Sequence, residues 1–137
     1  MTSLLFGFVG GLVGWFASSF LGEPLMTLLG ARRKAQSALY FYRNVLRDDS
    51  ERCEEASEHF RGIAPEIEGL KCSLLAPAFR EWGFDLNVAV QSLTSYSNSI
   101  CEIGFNKIST RVNVQKALRL PVVPEDLQAL ETLGPAK

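Results

Sequence analysis

The first 22 residues of this chain carry no charged side chain, and no other feature constrains the fold as strongly. About 20 apolar residues in a helix are long enough to cross the hydrocarbon core of a bilayer. A secretory signal peptide would place basic residues before a shorter apolar stretch, and none precedes this one. A core helix that is apolar on all sides would need more protein around it than the remaining chain supplies. The composition therefore predicts a transmembrane helix over residues 1–23.

Basic residues follow the apolar stretch and predict its orientation. Residues 32–47 hold five basic side chains and no acid, whereas no Lys or Arg precedes the stretch. By the positive-inside rule, the N-terminus lies outside and the C-terminal domain lies in the cytoplasm. Arg32, Arg33 and Lys34 are the predicted contacts to lipid headgroups and the determinants of topology. The next block, residues 48–68, holds eight acids and is predicted to face water.

Two interpretations remain open for the end of the span, at Gly22-Glu23-Pro24. Proline lacks an N–H group and suits the first turn of a new helix, so residues 24–34 could form a separate interfacial segment beside the membrane. In the alternative, the span continues as one tilted and kinked helix whose arginines reach the interface. Residues 35–137 form the predicted cytoplasmic helical domain in either case.

Small residues recur along one face of the predicted span at spacings of three and four. Such a face lets a second helix approach closely, so that van der Waals contact drives association within the bilayer. The predicted partner is another membrane protein or a second copy of this chain. The residues of this predicted helix–helix interface are Gly7, Gly11, Gly14, Ser18 and Gly22.

The rest of the chain has helical periodicity and no strand-like alternation of useful length. The spacing predicts a helix over residues 31–47, and Asp85 is predicted to cap a helix whose apolar stripe continues to Ile103. The predicted fold is all-α, with one N-terminal transmembrane helix followed by a small irregular helical bundle. Further helices are predicted from Asp48-Asp49-Ser50 to Ile63, from Pro65, from Phe105 to Leu120, and from Pro124 to Gly134.

The sequence contains no recognised catalytic or metal-binding motif, so we expect no enzymatic activity, no cofactor, no metal and no nucleic-acid partner. The only histidine, His59, lies on an acidic stretch and is predicted to be a solvated helix residue. The nearby glutamates are predicted to form a solvated acidic face. The cysteines are predicted to be buried, reduced thiols, because they are three in number and lack ligand spacing. They are Cys53, Cys72 and Cys101.

Several short features resemble those of short uncharacterised bacterial proteins with one N-terminal span. These features are Trp15, Leu21-Gly22-x-Pro24, Arg32-Arg33, Tyr42 and Leu93…Ser97-Asn98-Ser99. The resemblance implies a location in the bacterial inner membrane and carries no functional residue. The expected function is that of an accessory or assembly subunit acting by protein–protein contact. The alternative is a small membrane-active protein of the holin or toxin kind, in which the glycine face would drive self-association.

Overall fold

The computed structural model of the chain describes residues 2–45 and 49–134, with side chains from Gly7 onward. The predicted all-α fold is confirmed, since the described residues contain helices and no β-strand. The elements are α1 (Thr2–Ala17), a π-helical segment (Ser18–Gly22), α2 (Glu23–Phe41), α3 (Ser50–Leu70), α4 (Ala76–Glu81), α5 (Leu86–Ser99), α6 (Phe105–Ala117) and α7 (Pro124–Leu133). The helix predicted over residues 31–47 is shorter than expected, because α2 ends at Phe41 and a turn follows. The predicted end at Arg47 and the Asp48 capping candidate lie outside the described residues.

The N-terminal helix continues through Pro24 instead of breaking there. A π-helical turn precedes the proline, and the Glu23 N–H donates to the Ser18 carbonyl, five residues earlier. A proline ring clashes with the carbonyl four residues before it, and the wider π-helical turn relieves that clash while keeping the helix continuous. The helix is therefore continuous through residues 24–34, and the position of these residues relative to a membrane stays a prediction.

This N-terminal helix has two parts with different surroundings. At 1.5 Å per residue, α1, the π-helical segment and α2 together extend about 60 Å, roughly twice the hydrocarbon thickness. Within Gly7–Phe41 an apolar window is long enough to cross a membrane, and only 6% of that window is buried in the protein. Burial begins at Leu28 and continues through Ala31 and Ala35. The first part is thus available to lipid, and the second belongs to the bundle.

Four helices, α2, α3, α5 and α6, form an antiparallel up-and-down bundle. Two side-chain contacts fix the register of α2 and α3: the Tyr42 hydroxyl donates to Glu55 at 3.0 Å, and Lys34 pairs with Glu66 at 2.5 Å. The fully buried Phe60 and Tyr96 meet edge to face at the α3–α5 contact, with ring centroids 4.9 Å apart. Because α3 runs antiparallel to α2, the turn after Leu70 lies at the end of the bundle nearest α1.

Pro65 does not open a new helix, so that prediction is wrong. It lies inside α3, with an exposed side chain. A proline within a helix costs about 3 kcal/mol, but the residues around it, Ile63, Ile67 and Leu70, are buried in the core. Each such side chain contributes about 1.5–3 kcal/mol when buried. The burial energy of a continuous α3 therefore exceeds the cost of the proline within it.

Other predicted helix ends have mixed outcomes. The Asp85 cap is confirmed, because its carboxylate accepts from the Val88 N–H at 3.0 Å. The final helix is also confirmed, and it ends at Gly134 with a positive φ of 54°. The predicted stripe through Ile103 is wrong: α5 ends at Ser99, and Ile103 is 81% exposed in the turn before α6.

The prediction of three reduced, buried thiols is wrong as well. Cys53 and Cys101 form a disulfide across 48 residues, with Cα atoms 5.7 Å apart, and Cys72 is a free, exposed cysteine. The disulfide links the first turn of α3 to the end of α5, at the end of the bundle farthest from the span. Sequence spacing could not identify this pair, because only the antiparallel packing of α3 and α5 brings the two residues together.

Candidate membrane and helix-packing surfaces

The glycines of the predicted interface lie on an open face of the N-terminal helix. At about 100° per residue, Gly7, Gly11 and Gly14 fall within about 60° of one another on α1. A Cβ atom added at any of them, or at Gly22, would meet nothing within 4 Å. Ser18 and Gly22 lie in the π-helical segment, where Ser18 is exposed and Gly22 is partly buried. This glycine face has room for another helix.

An apolar groove runs along the opposite side of the same helix. Its volume is about 650 Å³, and its lining includes Leu12, Phe16 and Phe20. One further lining residue, Leu74, comes from the turn between α3 and α4. The span therefore has two chemically different sides, one of glycine and one of large apolar side chains.

Of the three basic residues predicted to contact lipid, two also contact the bundle. An Nη atom of Arg32 donates to the Arg119 carbonyl at 2.8 Å, and Lys34 is the partner of Glu66. Arg33 is exposed and makes no ion pair with the described residues. The cationic middle of α2 is thus held against the helical domain by two contacts and leaves the Arg33 guanidinium in solvent.

A buried charged cluster, which the sequence did not predict, joins the turn after α2 to α6 and α7. Arg111 and Asp126 form an ion pair that is almost completely buried. Arg43 lies 3.7 Å from the same Asp126 carboxylate and pairs with the exposed Glu125. Because Asp126 is the only buried residue of α7, charge and not apolar burial holds this helix in place. The local sequence signal was limited to two acids in the first turn of a helix that begins with proline.

A second buried cation lies near this cluster. The Lys107 ammonium donates to the Val45 carbonyl at 2.7 Å, which anchors the chain just after α2 to α6. Burial lowers the pKa of Lys107 below its usual value, and the nearby Arg111 charge lowers it further. Arg111 itself keeps one nitrogen, Nε, without a hydrogen-bond partner among the described residues. The Asp126 carboxylate is therefore the counter-ion for a region with excess positive charge.

Tyr96 provides a test of the α5 packing at alkaline pH. It is fully buried, and burial raises the pKa of its hydroxyl while the nearby Arg111 guanidinium opposes the shift. Its contribution to stability is complete below the unfolded-state value of about 10 and is lost as pH rises through the folded-state pKa. We expect Tyr96→Phe to change the free energy of unfolding little at pH 8 and to reduce the loss of stability above pH ~10. Urea unfolding at pH 8 and above pH ~10 measures both effects. An equal loss of stability at alkaline pH in the wild-type protein and the variant would show that Tyr96 is not its cause.

The polar side chains of α5 and α3 either bond within their own helix or are exposed to solvent. The Ser97 and Ser99 hydroxyls donate to carbonyls of their own helix, at 2.7 and 3.0 Å, so these small buried side chains permit close packing of α5. His59 is exposed, as predicted. The acidic face is exposed too, and its members are Glu51, Glu54, Glu55 and Glu58. These residues position no convergent site in the described part of the chain.

Comparison with known protein families, curated proteins and solved structures finds no match to this chain.

Proposed function

We propose that this chain is a single-pass membrane protein that acts by helix–helix contact, as an accessory or assembly subunit of a membrane complex and not as an enzyme. The observation that carries the proposal is the open glycine face: three glycines of α1 share one side, and a Cβ atom added to any of them would have no neighbour within 4 Å. In a bilayer, a face of this kind is stabilised by a second helix, because close backbone approach supplies contact that lipid tails do not.

We place the N-terminus outside and the helical domain in the cytoplasm of a bacterial inner membrane. The support is the asymmetry of basic residues, five in residues 32–47 and none before the span. Contacts of Arg32 and Lys34 with the folded domain do not weaken this argument, since orientation is decided during insertion. The Cys53–Cys101 disulfide is the observation against it, because disulfides persist mainly outside the reducing cytosol.

Gly11→Ile is expected to reduce association of the full chain with its partner by at least about tenfold, a change of about 1.4 kcal/mol. A Cβ atom at position 11 would meet nothing within 4 Å in the chain itself, so we expect the effect to fall on contact with another helix. The measurement is co-purification from bacterial membranes in a mild detergent, scored for a stoichiometric membrane protein or a second copy of the chain.

Val9→Ile is the matched control, because Val9 lies on the opposite side of α1 and lines the apolar groove. We expect Val9→Ile to retain the partner that Gly11→Ile loses. A wild-type chain that is strictly monomeric and has no stoichiometric partner would refute the proposal. Self-association alone, with loss of membrane potential on overexpression, would support the holin-like alternative instead.

A further inference from the structure

Leu74 is an unusually exposed apolar side chain at the membrane-proximal end of the bundle. It lies on the turn between α3 and α4 and is 73% exposed. It shares one groove with Phe16, Phe20 and Leu21 of the N-terminal helix, and every residue that lines this groove is apolar. The turn therefore extends the lipid-accessible side of the span onto the helical domain.

We propose that Leu74 and the turn around it insert into the same bilayer that the N-terminal helix crosses, with lipid acyl chains occupying the groove. The inference rests on the proposed membrane span. If Phe20 and Leu21 lie at the edge of the hydrocarbon core, a side chain that borders the same groove lies at a similar depth. The chain then contacts lipid at two places, through the span and through the turn.

Part of the backbone of this turn is paired internally, which lowers the cost of an apolar environment, where an unpaired polar group is costly. Both the N–H and the hydroxyl of Ser73 donate to the Leu70 carbonyl, at 3.1 and 2.7 Å. The Ala76 N–H donates to the Ser73 carbonyl at 3.1 Å. The turn thus directs Leu74 outward while pairing polar groups on either side of it.

Insertion of the turn would also orient the domain relative to the span. The groove lies on the side of α1 opposite Gly7, Gly11 and Gly14. A domain held against the membrane on the groove side leaves the glycine face free for a second helix. Lipid contact on one side and protein contact on the other would then be compatible in one molecule.

Tryptophan quenching in liposomes tests the proposal on the full chain. The chain has two tryptophans, Trp15 and Trp82. Trp15→Phe and Trp82→Phe remove both, and Leu74→Trp adds one reporter at an exposed position. In phosphatidylcholine–phosphatidylglycerol liposomes with brominated acyl chains, we expect this reporter to lose at least about half of its emission, because bromine lies within the hydrocarbon core.

Two controls separate the possible outcomes. Ile103→Trp in the same background places a reporter at the other end of α3, about 30 Å away, and should keep its emission. Trp82→Phe alone leaves Trp15, which reports the span itself. Quenching of Trp15 without quenching at position 74 would overturn insertion of the turn and leave the span intact. Absence of Trp15 quenching would instead overturn the proposed span, and the present inference with it.

Discussion

Asp126→Asn is expected to release α7 from the bundle. The substitution keeps the shape of the side chain and removes the carboxylate that, among the described residues, pairs with the buried Arg111. Breaking a buried ion pair by neutralising one partner costs about 3–5 kcal/mol, since the remaining charge is left without compensation. The loss of stability should be concentrated in α7, because detachment of α7 exposes the Arg111 guanidinium to water. We therefore expect α7 amides to exchange at least about a hundredfold faster by hydrogen–deuterium exchange, whereas α3 and α5 amides change little.

Glu125→Gln is the matched control, one residue away on the same turn of the same helix. Glu125 is exposed, and its pair with Arg43 is a surface pair worth about 0–1 kcal/mol. A double variant, Arg111→Met with Asp126→Leu, removes both charges and should recover much of the lost protection. If Asp126→Asn and Glu125→Gln had equal effects on α7, the buried pair would not be what holds this helix.

The features that follow from local sequence were predictable. The apolar composition of the first 22 residues predicted a helix able to cross a membrane. The Asp85 cap was predictable because a short acceptor side chain before an apolar periodic stretch satisfies free N–H groups of the first turn. The helix after Pro124 was also predictable from local sequence, since a proline and two acids favour a helix N-terminus.

The features that depend on tertiary packing were not predictable from one sequence. Pro65 has the same local effect in any helix, and only the burial of its neighbours against α5 keeps α3 continuous. The Arg111–Asp126 pair joins two helices through a connector, and no local pattern assigns a partner to either residue. Leu74 is, by sequence, an ordinary connector residue between Gly69 and Pro77, and only the folded chain brings it to the groove beside the span.

The Cys53–Cys101 disulfide of the structure is expected to be reduced in growing cells and to form again when the cytosol is oxidised. The proposed orientation places the helical domain where glutathione and thioredoxin keep thiols reduced. Closing a loop of this length would stabilise the bundle by about 4 kcal/mol in the chain-entropy treatment. We therefore expect three alkylatable thiols in acid-quenched cells and one after treatment with diamide. The oxidised chain should then melt roughly 15 °C or more above the reduced chain in detergent.

Cys72→Ser is the control for this experiment, because Cys72 is exposed and lies outside the disulfide. It should lower each thiol count by one and leave the difference in melting temperature unchanged, whereas Cys53→Ser should abolish that difference. A single reactive thiol in untreated cells would show that the domain folds on the oxidising side of the membrane. In that case the orientation inferred from Arg32, Arg33 and Lys34 is wrong. The basic residues of α2 would then serve the packing of the bundle, through the Arg32–Arg119 and Lys34–Glu66 contacts.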